Sequence, residues 1–286
     1  MPLCIALPRK TVVTWTALPS LRPMILRLTL VLLLGGLSAV RASGPLDLRD
    51  GERLVFRVAW GLFHHAGTIT ISANEEELEG LGQTRVTTLT STRGVIRAVY
   101  PFDGRVDAIF DLSSGKMLAA YANTATKRKQ TRASMVFDYE AGVGNYVDSV
   151  RPERSTQIEI PTDFPMDLIT SLVNARSWDI KVGDKRPLCV LFDDEFYDLE
   201  ITAERIESIA TPWGRQNALL LVPRMEENPK GMFRRGGSVR IWLSESEPRL
   251  PLRLEVSVAV GTAVAQLTEY QPPTNADSSR HARADF

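Results

Sequence analysis

The segment TDFPMDLITSLVNARSW, Thr162 to Trp178, is the only part of this 286-residue chain that carries the periodicity of an amphipathic helix. Leu168, Ile169, Leu172 and Val173 fall at i, i+1, i+4 and i+5 and make one apolar stripe, with Asp167, Thr170, Ser171 and Asn174 on the opposite side. Asp163 is the expected N-cap, and Pro165 suits the first turn, where a missing N–H costs nothing. A lone helix with one apolar face must bury it against another layer, and nearly everything around it has the period of strands, so that layer is a sheet.

Upstream, Leu54, Phe56, Val58 and Trp60 alternate with Val55, Arg57 and Ala59 until Gly61 breaks the run. Gly67 opens a second strand, with Ile69, Ile71 and Ala73 alternating with Thr68, Thr70 and Ser72. Glu75 to Gly82 has the composition of an acidic turn, and Gln83 to Thr92 that of a Thr-rich strand. After Ile96 to Tyr100 and Pro101, Phe102, Val106, Ala108 and Phe110 face one way and Asp103, Arg105 and Asp107 the other. Lys116–Ala125, Ala133–Tyr139, Tyr146–Val150 and Thr156–Ile160 continue the meander, divided by turns at Ser113–Gly115 and Gly142–Asn145. Beyond the helix come Leu188–Phe192, Phe196–Ile206, Asn217–Val222, Val239–Leu243, Leu252–Val260 and Thr262–Tyr270, with Gly261 turning the last hairpin. Glu226 to Gly237 is the longest interior loop and the expected mobile part. The pattern predicts a mainly β protein: a curved antiparallel sheet or open half-barrel with one central amphipathic helix, in a single domain over residues 46–271. Residues 272–286 are polar and contain Pro272 and Pro273, as in a disordered tail.

The first 42 residues have a different character. Arg27 precedes an apolar run from Leu28 to Leu37, and Val40 and Ala42 fit the small-residue positions of a signal-peptidase site, so cleavage near Ala42 and export to the periplasm of a Gram-negative envelope are expected. The run is shorter than the roughly 20 residues a membrane span needs, so an integral membrane protein is not expected. Met24 competes with Met1 as the true start. Removing residues 1–42 leaves 29 basic against 34 acidic residues, a net charge of −5, which argues against nucleic acid as a partner. Cys189 is then the one remaining cysteine; it sits in the apolar run Leu188–Phe192 and has the character of a packing residue rather than a nucleophile.

Several stretches together resemble the bacterial family called domain of unknown function 3108. They are Glu52 to Gly61 followed by Ala66 and Gly67, Val106-Asp107, Phe137-Asp138, Ile241 to Ser244, Arg249 to Arg253, and Gly261. The resemblance covers about Leu48 to Tyr270 and implies an exported envelope protein of mainly β structure with no established activity. It supplies no site residues.

Candidate sites are few. His64-His65 precedes Gly67, but neighbours on extended backbone point opposite ways, and no third metal ligand is implied by spacing. Asp193-Asp194-Glu195 lacks the ligand spacing of a calcium loop and suits a solvated turn. The basic run Lys127 to Arg132 suits anionic lipid headgroups, nucleic acid, or an edge strand guarded by lysines, the last being the better fit. Asp107, Asp138 and Asp167 are carboxylates without a known mutual geometry. No catalytic motif is present, and no catalytic residue, metal or cofactor is expected.

The sequence therefore supports a non-enzymatic periplasmic binding or carrier protein that holds an apolar or lipid-like ligand in a β groove. Its lining would be Phe56, Trp60, Phe102, Phe137, Leu168, Leu172 and Trp242. The alternative is a scaffold of the cell envelope acting through protein contacts at Glu226–Gly237, and the third is an envelope hydrolase built around His64.

Overall fold

The computed structural model describes residues 46–161, 164–234, 237–258 and 261–274. The expected leader over residues 1–42, cleavage near Ala42, the choice of start, the cap at Asp163 and the tail beyond Thr274 lie outside these residues.

Period-two alternation delivers strands close to where it was expected. The first half comprises β1 (Arg53–Trp60), β2 (Phe63–Leu78), β3 (Leu81–Thr92), β4 (Phe102–Asp111), β5 (Met117–Thr126), β6 (Gln130–Asp138), β7 (Val143–Asp148) and β8 (Thr156–Glu159). The second half comprises β9 (Met166–Asp167), β10 (Lys185–Phe192), β11 (Glu195–Thr211), β12 (Gly214–Arg224), β13 (Ser238–Ser244), β14 (Pro251–Val258) and β15 (Gly261–Gln271). All belong to one sheet in the order β8-β7-β6-β5-β4-β3-β2-β1-β15-β14-β13-β12-β11-β10-β9. Every pairing is antiparallel except β9 with β10. The sheet is open: β8 and β9 are its edges, and the N- and C-terminal strands β1 and β15 pair at its centre.

Two local expectations are corrected. The acidic stretch from Glu75 is not a turn: β2 continues to Leu78, and only Glu79 and Gly80, with φ of 54° and 81°, reverse the chain. Strand conformation suits Glu76 because Arg85 of β3 donates to its carboxylate at 2.8 Å. The run after Thr92 is not extended either: Gly94–Val99 forms a short helix, α1, which takes up the connection between β3 and β4, whose ends are already paired at Ser91 and Asp103. A short apolar run does not by itself distinguish helix from strand.

The central helix is real but shorter than its sequence pattern. It spans α2 (Leu168–Asn174) and continues as a 3-10 turn over Ala175–Ser177. Its cap is Asp167, whose Oδ1 accepts from the amides of Ile169 and Thr170 at 3.0 Å each, while Pro165 lies before the helix. The side expected to meet water does not. Thr170, Ser171 and Asn174 are as buried as Leu172 and Val173, because the segment before β1 crosses over them: the Asp47 amide donates to Asn174 Oδ1 at 2.7 Å and Leu48 is buried. The apolar stripe also divides. Ile169 and Val173 join a cluster containing Phe56, Ile71, Phe110, Met117 and Phe137, whereas Leu168 and Leu172 join a second one with Trp178, Leu199, Leu221 and Ile241. Strand β12 lies between the two, so Ala218 to Val222 are all buried instead of alternating.

A buried ionic cluster ties the end of α2 to the sheet. The Arg176 guanidinium donates to Asp47 Oδ2 at 2.7 Å and to Glu52 Oε2 at 2.8 Å, and the Tyr270 hydroxyl donates to Glu52 Oε1 at 3.1 Å. Burial, reinforced by the Glu52 carboxylate, pushes the Tyr270 hydroxyl up to about 12.

Asp167 makes the helix start sensitive to pH. Burial pushes its carboxyl above the usual carboxylate range, against the bonds from Thr170 and Ile169 that pull it down, and its Oδ2 is buried with no partner among the described residues. A carboxyl whose folded pKa is raised destabilises the fold while ionised. That penalty is relieved as pH falls through the folded value toward about 4, the unfolded one. Asp167→Asn keeps the capping oxygen and removes the charge. The variant is expected to be more stable than the parent at pH 7, with the gap closing on acidification; urea unfolding curves at stepped pH that stay parallel for the two proteins would refute this.

Candidate functional site

Two apolar clusters pack between α2 and the sheet. Between α2 and the sheet there remains a cavity of about 30 Å³, lined only by apolar side chains, among them Phe56, Ile69, Ile169, Leu172, Val173 and Leu254. That is space for about one water and far short of a lipid chain. Of the seven residues expected to line a groove, Phe56 and Leu172 border this cavity. Phe137 and Trp242 are packed in the first cluster and Leu168 lies half-buried against the second. Trp60 and Phe102 lie near the strand ends, Trp60 at the surface and Phe102 half-buried. Trp242 is held on both sides: its Nε1 donates to Glu207 at 2.8 Å and the Arg253 guanidinium stacks 4.9 Å from its ring centre.

Asp193-Asp194 is the expected turn, with Asp193 exposed, and it also serves as a clasp. It closes the β10–β11 hairpin, and Asp193, at φ 60°, accepts from the Tyr146 hydroxyl of β7 at 2.8 Å. Arg154, just before β8, donates to Asp193 and to Asp194 at 2.8 Å each. The sheet curls far enough for its two ends to meet through side chains, and Phe137 of β6 approaches Phe196 of β11 at 6.5 Å between ring centres. Burial, then the bond to Asp193, raises the Tyr146 hydroxyl. Residues 47 positions apart meet here, which no local pattern in the sequence announces.

A roomier concavity lies outside the core, beside the Glu226–Gly237 loop. A cleft of about 630 Å³ is walled by Leu220, Val222 and Arg224 of β12, Glu204 and Arg205 of β11, Arg240 of β13, and Phe233 and Arg234 of the loop. A second cleft beside the loop, of about 360 Å³, is lined by Tyr197, Asp198, Glu200, Met225, Glu226 and Lys230. The loop thus borders both clefts. It is anchored: residues Gly231–Phe233 form a 3-10 turn whose Phe233 is buried in the second cluster, and Lys230 pairs with Glu195 and lies 5.5 Å over the Tyr197 ring. The guanidinium groups are positioned by carboxylates, Arg224 by Glu204 at 2.8 Å and Arg240 by Glu255 at 3.3 Å. Such a surface offers fixed hydrogen-bond donors beside apolar walls, which suits recognition. Sequence reading shows Arg224 and Arg240 only as the polar face of two strands; the wall they share with the loop exists only once β12 and β13 are paired.

The remaining candidates do not converge. His64 and His65 are exposed on consecutive positions of β2, and no group of three metal-binding side chains occurs among the described residues. Asp107 is engaged by Thr87 and Arg105, Asp138 caps a turn through the amides of Glu140 and Ala141, and Asp167 caps α2. Cys189 is half-buried opposite Asp198; burial, with the neighbouring carboxylate, pushes its thiol up to about 12, so it stays protonated at neutral pH. Lys127, Arg128 and Lys129 are not on an edge: β5 and β6 are interior strands, and the three residues form the exposed turn between them.

Comparison with known proteins adds the following. The sequence model of a family described as Protein of unknown function (DUF3108) matches residues 55–268. No curated protein matches the chain. Among solved structures, a β-barrel-like protein of domain of unknown function DUF1849 from Brucella abortus is 8% identical with a TM-score of 0.47, over 79% of this chain and 98% of that one. A protein from Bacteroides fragilis, described as exported with a YmcC-like fold, is 10% identical with a TM-score of 0.31, over 81% and 99%. A protein described as a lipoprotein from Parabacteroides distasonis is 11% identical with a TM-score of 0.30, over 80% and 98%. Likenesses this distant carry no argument about function.

Proposed function

The chain belongs to the family of unknown function DUF3108, and from that premise we propose that it is a non-enzymatic, exported protein of the cell envelope that acts by surface contact with a partner protein through Glu226–Gly237. The observation that carries this reading is where the space lies. The cavity beneath α2 holds about 30 Å³, whereas the two clefts beside the loop hold about 630 and 360 Å³. A carrier of a lipid-like ligand, the other reading from sequence, would have to displace α2 from a cavity that admits about one water. Among the described residues no helix is long and apolar enough to cross a membrane, and export rests on the leader pattern of residues 1–42.

Crosslinking in intact cells tests the proposal. Truncating the loop would expose the pocket of the buried Phe233, so the informative variant is Glu226→Lys with Glu227→Lys and Arg234→Glu, all three exposed. The parent is expected to give one dominant crosslinked protein and the triple variant to lose it while unfolding at the same urea concentration. Diffuse labelling of the parent, or an unchanged product in the variant, would remove the contact reading.

A further inference from the structure

We propose that one rim of the sheet, formed by the three connections β1–β2, β3–β4 and β5–β6, docks on an anionic lipid bilayer. The registers place these connections side by side. Trp60 pairs with Phe63, Gly67 with Thr92, Ser91 with Asp103, Phe102 with Thr126, and Ala125 with Gln130. The loops 61–62, 93–101 and 127–129 therefore follow one another along the same end of β1 to β6, with the inner turn to the outer turn roughly 20 Å apart at the usual strand spacing.

This rim is apolar at one end and basic at the other. Leu62 is 91% exposed, Val99 77%, Val95 61% and Tyr100 57%, with Trp60 and Phe63 beside them. The fold does not use these side chains: α1 buries none of its residues, although its start is fastened to β2 by the Arg93 amide donating to the Ala66 carbonyl at 2.7 Å. Trp60 is nevertheless constrained, since a Cβ on Gly261 would stand 2.8 Å from its Nε1. An exposed group of Leu, Val, Phe, Trp and Tyr on an anchored rim has the composition of an interfacial anchor, in which apolar side chains enter the acyl boundary and Trp and Tyr sit among the headgroups.

Charge fixes the kind of bilayer. Residues 61–66, 93–102 and 127–129 contain Arg93, Arg97, Lys127, Arg128 and Lys129 and no acidic residue, in a chain that is net acidic once residues 1–42 are removed. Arg97 is held by Asp103 at 2.8 Å. Lys127, Arg128 and Lys129 are all exposed and none forms an ion pair among the described residues. Their turn is ordered, with the Thr126 amide donating to the Lys129 carbonyl at 2.7 Å and the Lys129 amide to Thr126 Oγ1 at 2.9 Å. Edge protection, the usual reason for such a string, does not apply to a turn between interior strands. Three unpaired cations held on one turn beside an apolar prominence are complementary to anionic headgroups over an acyl layer.

Flotation of the protein, as its host exports it, on vesicles of phosphatidylcholine alone and of phosphatidylcholine with phosphatidylglycerol tests the assignment. The parent is expected to float with the mixed vesicles and to release as salt is raised. Lys127→Gln with Arg128→Gln and Lys129→Gln is expected to lower that binding by roughly two orders of magnitude. Leu62→Ser with Val99→Ser is expected to lower the same binding to the mixed vesicles. All five positions are exposed, so every variant should unfold with the parent. Equal flotation of parent and variants, no flotation of the parent, or capture of one protein from cells by a crosslinker at position 62 without vesicle binding would each overturn the inference. The Glu226, Glu227 and Arg234 variants bear on the other surface and leave this result untouched.

Discussion

Arg176→Met is expected to destabilise the fold by about 3–5 kcal/mol, lowering Tm by on the order of 10 °C. The side chain is 8% exposed and its partner Glu52 1%, so the substitution leaves a carboxylate buried with, among the described residues, the Tyr270 hydroxyl and the Arg49 amide to satisfy it. Both charges lie on segments that join distant parts of the chain, the turn after α2 and the entry to β1. Losing the pair therefore frees the helix as well as the segment that covers its polar side. A second substitution separates the two contributions. Glu52→Gln in the Arg176→Met background removes the stranded charge and is expected to recover a large part of the loss, since replacing a buried pair by neutral groups costs far less than breaking it. Urea unfolding of the two single variants and the double variant measures this; strictly additive losses would show that the pair does not act as a unit.

Leu172→Ala is expected to cost about 2–5 kcal/mol, because the site cannot collapse around the lost carbons. Leu172 sits on α2 between the second cluster and the existing cavity, and Ser171 and Val173 on either side are already packed against other partners. The enlarged space would be lined by Phe56, Ile69, Ile71 and Ile241, all apolar, so it should stay dry and admit a small apolar molecule. Saturating the buffer with benzene is then expected to recover part of the lost stability in the variant and none in the parent. Leu168→Ala, on the same stripe but half-buried, is the control and should cost less. Equal losses at the two positions, or benzene stabilising the parent to the same degree, would mean that the cavity beneath α2 is not what the variant enlarges.

Much of the architecture was legible along the chain. Period-two runs located the strands because a side chain's alternation depends on its immediate neighbours, although Gly261, expected to turn the last hairpin, is the first residue of β15 and pairs with Val258. The helix was legible in its Leu168, Ile169, Leu172, Val173 stripe. Its cap was misplaced by four residues, since Asp163 and Asp167 both suit the role and only the pairing of Met166 and Asp167 with β10 chooses between them. The acidic end of β2 was missed for a related reason: Glu75 to Leu78 resemble a turn until Arg85 stands beside them on β3.

The candidate surfaces were less legible. Phe56, Phe137 and Trp242 were rightly sensed as inward-facing, but whether inward means a groove or a sealed core depends on what covers them, and the cover comes from α2 and the segment at Asp47 and Leu48. The string Lys127 to Lys129 reads the same on an edge strand and in an interior turn; sheet order distinguishes them.

By itself, then, the order of residues determined that this is a β protein with one central helix, how its strands alternate, where most of its hairpins turn, and which family it resembles. Tertiary structure alone decided the order in which the described strands join the open sheet, that Arg154 reaches Asp193, that Arg176 reaches Glu52, and that three loops share one rim. The reason is one of range: alternation and turn chemistry act between neighbours and leave a trace in the local pattern, whereas an ion pair spanning 124 positions leaves none until the sheet has brought its ends together.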